Sequence, residues 1–83
     1  RVTFQHHDRI AGTLDLVKGQ GLISEYLVSW RGRDGRLIPK VVVWSEAGTR
    51  PDTVRGKLIR SLLGLVPSRQ ILIVDDGDAL RPG

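Results

Sequence analysis

The sequence predicts a small α+β domain in which one helix packs on one face of a mixed sheet, with the element order β-β-β-α-β. Before residue 30, apolar and polar residues alternate with a period of two, which is typical of half-buried strands. Apolar residues then recur at helical spacing between residues 51 and 63, and an unbroken apolar run at 71–74 indicates a buried strand. A chain of 83 residues has room for one such domain.

The first three strands are predicted to form an antiparallel meander. The first strand covers residues 9–16, and its even-numbered positions place apolar side chains such as Leu14 and Leu16 on one side. The second strand covers residues 22–30. Two glycines within residues 18–21 supply the left-handed backbone that a reversal between these strands requires.

The second reversal of the meander is predicted at Asp34-Gly35, because both residues tolerate the positive φ angles of a two-residue hairpin turn. The third strand then covers residues 37–44, and Pro39 places its start at an edge or a bulge. Val41 to Val43 are apolar on both faces, which indicates a central strand. A helical crossover would make this strand a parallel neighbour of residues 70–74.

The helix between these two strands carries signals at both ends. Thr49 and Asp52 have the spacing of a capping box, and Pro51 suits the first helical turn because its missing N–H has no partner there. Gly64 is the expected left-handed residue after the helix ends near Leu63.

Composition restricts the classes of protein to which the chain can belong. It has no cysteine, no apolar run long enough to span a membrane and no signal-peptide pattern, so we expect a soluble, cytoplasmic protein without disulfides. No cofactor motif and no nucleophile signature is present, so we expect a non-catalytic module that needs no cofactor. Because the sequence starts at Arg1 and ends on Arg81-Pro82-Gly83, we expect residues 1–83 to be one module of a larger protein.

The net charge of +4 is concentrated in the middle of the chain, where residues 31–60 carry eight Lys and Arg against three acidic residues. A hairpin that carries three arginines can contact phosphates or carboxylates, and aromatic rings beside it can stack on bases. We therefore predict a basic binding surface for nucleic acid or for an acidic protein surface, built from Arg31, Arg33, Arg36, Lys40, Trp30, Arg55 and Lys57.

Two alternative functions stay open. Asp15 and Glu25 lie on strands that the first hairpin would bring together, which suggests a metal-dependent, nuclease-like enzyme fragment. The lysine that usually follows the second carboxylate in such sites is missing after Glu25. An assembly module whose exposed strand edge pairs with a neighbouring chain is the other alternative. His6 and His7 point in opposite directions on an extended segment, so we predict no metal site.

The last third of the chain, from Leu62 to Pro82, is similar in its helix, short strand and trailing Asp-Gly-Asp to the small C-terminal lid of acyl-CoA ligases of the phenylacetate type. In that family, a lysine beyond such a strand serves the adenylation step. No lysine follows Lys57 here, so these residues include no counterpart of that lysine.

Overall fold

The computed structural model describes residues 4–75, and the side chains of residues 6–74, as an α+β fold with a three-stranded mixed sheet. The elements are α1 (Phe4–Gly19), β1 (Ile23–Arg33), β2 (Arg36–Ser45), α2 (Pro51–Ser61) and β3 (Ile71–Asp75), with a 3₁₀ turn at Ser68–Gln70. The predicted α+β class and the mixed sheet are confirmed. The first strand of the predicted meander is wrong, because that segment is the helix α1.

The helix α1 forms because its apolar residues also fit a helical stripe. Ile10, Leu14 and Val17 are buried at i, i+4 and i+7, whereas Leu16 points away and is 69% exposed. The predicted reversal at residues 18–21 is a Schellman ending of the helix, not a hairpin. Gly21 adopts a φ of 79°, and the amide of Leu22 donates to the carbonyl of Val17.

The hairpin between β1 and β2 forms at the predicted turn. Asp34 and Gly35 adopt φ angles of 53° and 75°, as a type I′ turn requires, and Arg33 pairs with Arg36 across it. The strands are antiparallel over their full length, with one register shift between Ile23 and Glu25.

The strand β2 is central, and its second half is parallel to β3, as predicted. Residues 41–45 pair with β3, whereas β1 is the one strand paired with residues 36–40 in the described part of the chain. Counted from the turn, Pro39 falls at a non-hydrogen-bonded pair with Trp30, so its missing N–H removes no ladder bond. The proline therefore lies where the strand is locally an edge.

The start of α2 differs from the prediction. Pro51 occupies the first turn as expected, but the N-cap is Arg50 and no side chain caps the helix, so the capping box of Thr49 and Asp52 is wrong. Arg50 is extended because it precedes a proline, which moves the boundary one residue past Thr49. The helix ends at Ser61, and Gly64 follows with a φ of 83°.

Both helices lie on the same face of the sheet, and the core lies between them and β2. α1 contacts β1, and α2 contacts β3. The fully or almost fully buried apolar residues are Ile10, Leu14, Val17, Ile23, Val41, Val43, Val54, Leu58, Leu62, Val66 and Ile71. Within the described chain, no element packs against the opposite face of the sheet, which we call the open face.

Candidate functional site

The open face is defined by the alternation of side chains along the paired strands. In β2, positions 39, 41, 43 and 45 are buried against the helices, so the even positions point the other way. Their partners in β1 and β3 share that side, because directly opposed residues in a sheet point to the same face. The open face therefore consists of Glu25, Leu27, Ser29, Arg31, Arg33, Arg36, Ile38, Lys40, Val42, Trp44, Leu72 and Val74.

The half of the open face near the hairpin turn is basic. Arg33 is opposite Arg36, Arg31 is opposite Ile38, and Ser29 is opposite Lys40. All three arginines are exposed, and none of these four cations forms an ion pair among the residues whose side chains are described. The hairpin thus presents four positive charges on one face over the length of a few residue pairs.

The other half of the open face is apolar. Leu27, Val42 and Leu72 form one row across all three strands, and the two leucines are 56% and 48% exposed. Trp44 and Val74 form the next row and are half-buried. The Trp44 Nε1 atom is buried and has no hydrogen-bond partner in the described part of the chain. Only the apolar surface of that side chain is therefore offered to a partner.

Four of the seven predicted binding residues lie together on the open face, and three lie elsewhere. Trp30 is on the helix side of the sheet, where it lines a groove with Leu37 and Leu63, and its Nε1 lies 3.3 Å from Nδ1 of His7. Arg55 and Lys57 are on α2, and Arg55 donates a hydrogen bond to the carbonyl of Ile71. The structure thus does not bring Arg55 and Lys57 to the arginines of the hairpin, whereas Trp30 shares its groove with Arg36.

The two carboxylates considered for metal binding each contact another side chain of the protein. Oδ1 of Asp15 accepts a 2.6 Å hydrogen bond from the Tyr26 hydroxyl, and Glu25 forms a 3.3 Å salt bridge with Lys18. Asp15 lies on α1, so the predicted placement of both carboxylates on neighbouring strands is wrong. A metal role for them stays a prediction, but this geometry does not favour it.

Glu25 and Tyr26 have shifted pKa values. A hydrogen bond from the Tyr26 amide, followed by the Lys18 ammonium, lowers the pKa of Glu25. The hydrogen bond to Asp15, followed by partial burial, raises the pKa of Tyr26. Both shifts follow from contacts between α1 and β1 or within β1, so they report on structure and not on a reaction.

No group of three His, Cys, Asp or Glu side chains in the described chain is placed to hold a metal ion. Neither α1 nor α2 combines the length and the apolar character that a membrane crossing would need.

Sequence reasoning missed the apolar row of the open face. The sequence predicts that Leu27 and Val42 lie in strands, but it predicts that Leu72 lies in a strand buried on both sides. The signal that could have identified the row is Val42, because three consecutive valines must place one on the opposite face from the other two.

Comparison of this chain with protein-family models, with curated proteins and with solved structures finds no match.

Proposed function

We propose that this domain is a non-catalytic docking module whose open face binds an acidic protein segment that also carries apolar side chains. The observation that supports it is the strand register, which gathers Arg31, Arg33, Arg36 and Lys40 beside the row of Leu27, Val42 and Leu72.

Charge complementarity supports an acidic partner. Four cations share one half of the face, while Asp34 at the turn and Glu25 at the far end are the acidic residues on the hairpin. Guanidinium groups bind carboxylates through paired hydrogen bonds, and they lose less hydration on binding than ammonium groups do. Long-range attraction between the basic half and an acidic segment would also speed their encounter.

The apolar half of the open face favours a protein as the binding partner over a nucleic acid. Sheets that bind single strands offer several aromatic rings on which bases stack, whereas this face offers Trp44 alone beside aliphatic side chains. Leucine and valine side chains instead suit a partner that buries its own apolar side chains against them. An acidic protein segment therefore complements both halves of the face, and a nucleic acid complements one half.

The experiment compares three labelled probes of equal charge by fluorescence anisotropy. The first is a peptide with a block of glutamates followed by leucine and valine, the second replaces the apolar block with serine, and the third is an oligothymidylate. We expect the first probe to bind tightest and its affinity to fall as salt is added. Tightest binding of the oligothymidylate, or no binding of any probe, would overturn the proposal.

A matched pair of double variants tests the location of the site. Arg33→Ala with Arg36→Ala removes two charges from the open face. Arg60→Ala with Arg69→Ala removes two charges from exposed positions on α2 and the 3₁₀ turn. The first pair should weaken binding of the acidic-apolar peptide by about tenfold or more, since charged hydrogen bonds contribute about 1.5–3 kcal/mol each. Equal losses of peptide affinity in the two double variants would mean that binding depends on net charge alone and not on the open face.

A further inference from the structure

We propose that two copies of this chain associate through the outer edge of β1, in an antiparallel pairing whose two-fold axis passes beside Val28. This contact uses the edge of the sheet and the adjacent side of α1. It shares Arg31 and Glu25 with the open face but involves neither Arg36 nor Lys40 of the docking surface. It makes one continuous six-stranded sheet from two three-stranded ones.

The outer edge of β1 has no strand partner among the described residues, and it offers hydrogen-bonding groups at alternate positions. Counted from the Arg33 and Arg36 pair, the odd residues of β1 bond to β2, so Tyr26, Val28, Trp30 and Gly32 direct their backbone groups outward. The Tyr26 amide donates to the Glu25 side chain at 3.1 Å and not to β2, which agrees with this count. The pairing would exchange this bond for one to the second copy. An 11-residue edge strand is long, and long unpaired edges are the usual sites of strand addition.

The charges on β1 select the register of this pairing. When Val28 faces Val28 of the second copy, Glu25 lies opposite Arg31, and this pair occurs twice. Both members of the pair lie on the open face, at non-hydrogen-bonded positions where side chains approach most closely. On the helix side, the same register places Tyr26 opposite Trp30, which joins two aromatic rings across the axis.

The helix α1 fits the same axis. Its side chains contact β1 at three levels: His7 with Trp30, Asp15 with Tyr26, and Lys18 with Glu25. The α1 members of these contacts, His7, Asp15 and Lys18, are exposed although they touch an edge strand, so they lie on its outer side.

As α1 advances from His7 to Asp15, its contacts on β1 move back from Trp30 to Tyr26. Ala11 is midway between the first two residues and Val28 is midway between the other two, so Ala11 lies at the level of Val28. The small side chain of Ala11 lets two α1 helices approach at the axis. Around that axis, His7 of one copy lies opposite Asp15 of the other, four residues on either side of Ala11.

The mass of the protein in solution tests this pairing, measured by sedimentation equilibrium over a wide concentration range. We expect the average mass to rise from that of the monomer to that of the dimer as the protein concentration increases. Arg31→Glu should raise the dimer dissociation constant by about tenfold or more, because it replaces two attractive cross-strand pairs with two repulsive ones. The double variant Arg31→Glu with Glu25→Arg restores opposite charges and should recover the dimer.

Cross-linking at single cysteines provides a control on the same helix. The chain has no cysteine of its own, so Ala11→Cys and Leu16→Cys each introduce one thiol. A short thiol cross-linker should join copies of Ala11→Cys and leave Leu16→Cys, on a different side of α1, unjoined. A protein that stays monomeric at all concentrations would overturn the pairing. So would a dimer that survives Arg31→Glu unchanged or that cross-links equally at both positions.

These results are distinguishable from failure of the proposed docking function. The docking test depends on Arg33 and Arg36, whereas the pairing test depends on Arg31, Glu25 and Ala11. Loss of peptide binding in Arg33→Ala with Arg36→Ala should leave the dimer intact, because Arg36 lies on β2 and Arg33 lies at the end of β1, away from the Glu25 and Arg31 pairs.

Discussion

The hydroxyl group of Tyr26 donates a 2.6 Å hydrogen bond to Oδ1 of Asp15, and this bond ties the edge strand β1 to the helix α1. Eleven residues separate the two side chains in sequence, and the Schellman ending at Gly21 lies between them. The contact exists only if residues 4–19 are helical and fold back along β1. It is therefore a local marker for the element that the sequence pattern assigned wrongly.

The ionisation of Tyr26 provides the first prediction. The bond to Asp15 raises its pKa above the ordinary value of 10.0, because the folded state favours the protonated phenol. The stability from this bond is fully present below the unfolded pKa and is lost as pH rises through the folded pKa. Tyr26 is the sole tyrosine of the chain, so absorbance of the phenolate reports on it alone. Asp15→Asn should lower the pH at the midpoint of the Tyr26 titration. An unchanged titration midpoint would mean that the hydrogen bond does not form.

A second prediction distinguishes the helix from the strand expected for residues 9–16. In a strand, Leu14 and Leu16 would share one face and would contribute similarly to the free energy of unfolding. In α1, Leu14 is fully buried and Leu16 is 69% exposed. Leu14→Ala should lower the free energy of unfolding by about 2–5 kcal/mol, and Leu16→Ala should change it by less than about 0.5 kcal/mol. Urea unfolding measures both, and similar losses in the two variants would contradict the helix.

The apolar pattern of residues 9–16 is ambiguous because the spacing of Ile10 and Leu14 fits both the period of a strand and the period of a helix. Residues four apart lie on one side of a strand and also on one stripe of a helix. The residue that decides is Val17, which breaks the period of two but lies three residues after Leu14. The hairpin at Asp34-Gly35 had no such ambiguity, since its conformation is set by two adjacent residues.

The open face could be predicted only in part. The turn places Arg31, Arg33 and Arg36 near one another whatever the rest of the chain does. Which face of the sheet the helices cover depends on packing, so the exposure of Leu72 and the position of Trp30 on the helix side could not be read from local pattern. Secondary structure is local, but the choice of face is tertiary.

A third prediction compares two glycines with opposite conformations. Gly12 is helical, whereas Gly35 has a φ of 75°, and a methyl group added at either meets no atom within 4 Å. Gly12→Ala should therefore stabilise the protein by about 0.5–1 kcal/mol through helix propensity. Gly35→Ala should destabilise it by about 1–2 kcal/mol, because alanine is strained in the left-handed region. Thermal unfolding checks both signs, and a stabilising Gly35→Ala would contradict the type I′ turn.

The fourth prediction uses neighbouring valines of β2 that point to opposite faces. Val43 is fully buried against the helices, and Val42 is half-buried on the open face. Valine to threonine keeps the shape and the strand preference and adds a hydroxyl group. Val43→Thr should lower the free energy of unfolding by about 1–3 kcal/mol, because that hydroxyl is buried without an assured partner.

Val42→Thr should change the free energy of unfolding by less than about 0.5 kcal/mol, because water reaches the open face. Urea unfolding of the two variants at low protein concentration makes the comparison. An equal loss in both would mean that the row of Leu27, Val42 and Leu72 is already covered in the isolated chain. The proposed docking face would then have no free apolar half, whereas a loss confined to Val43→Thr leaves that half open to a partner.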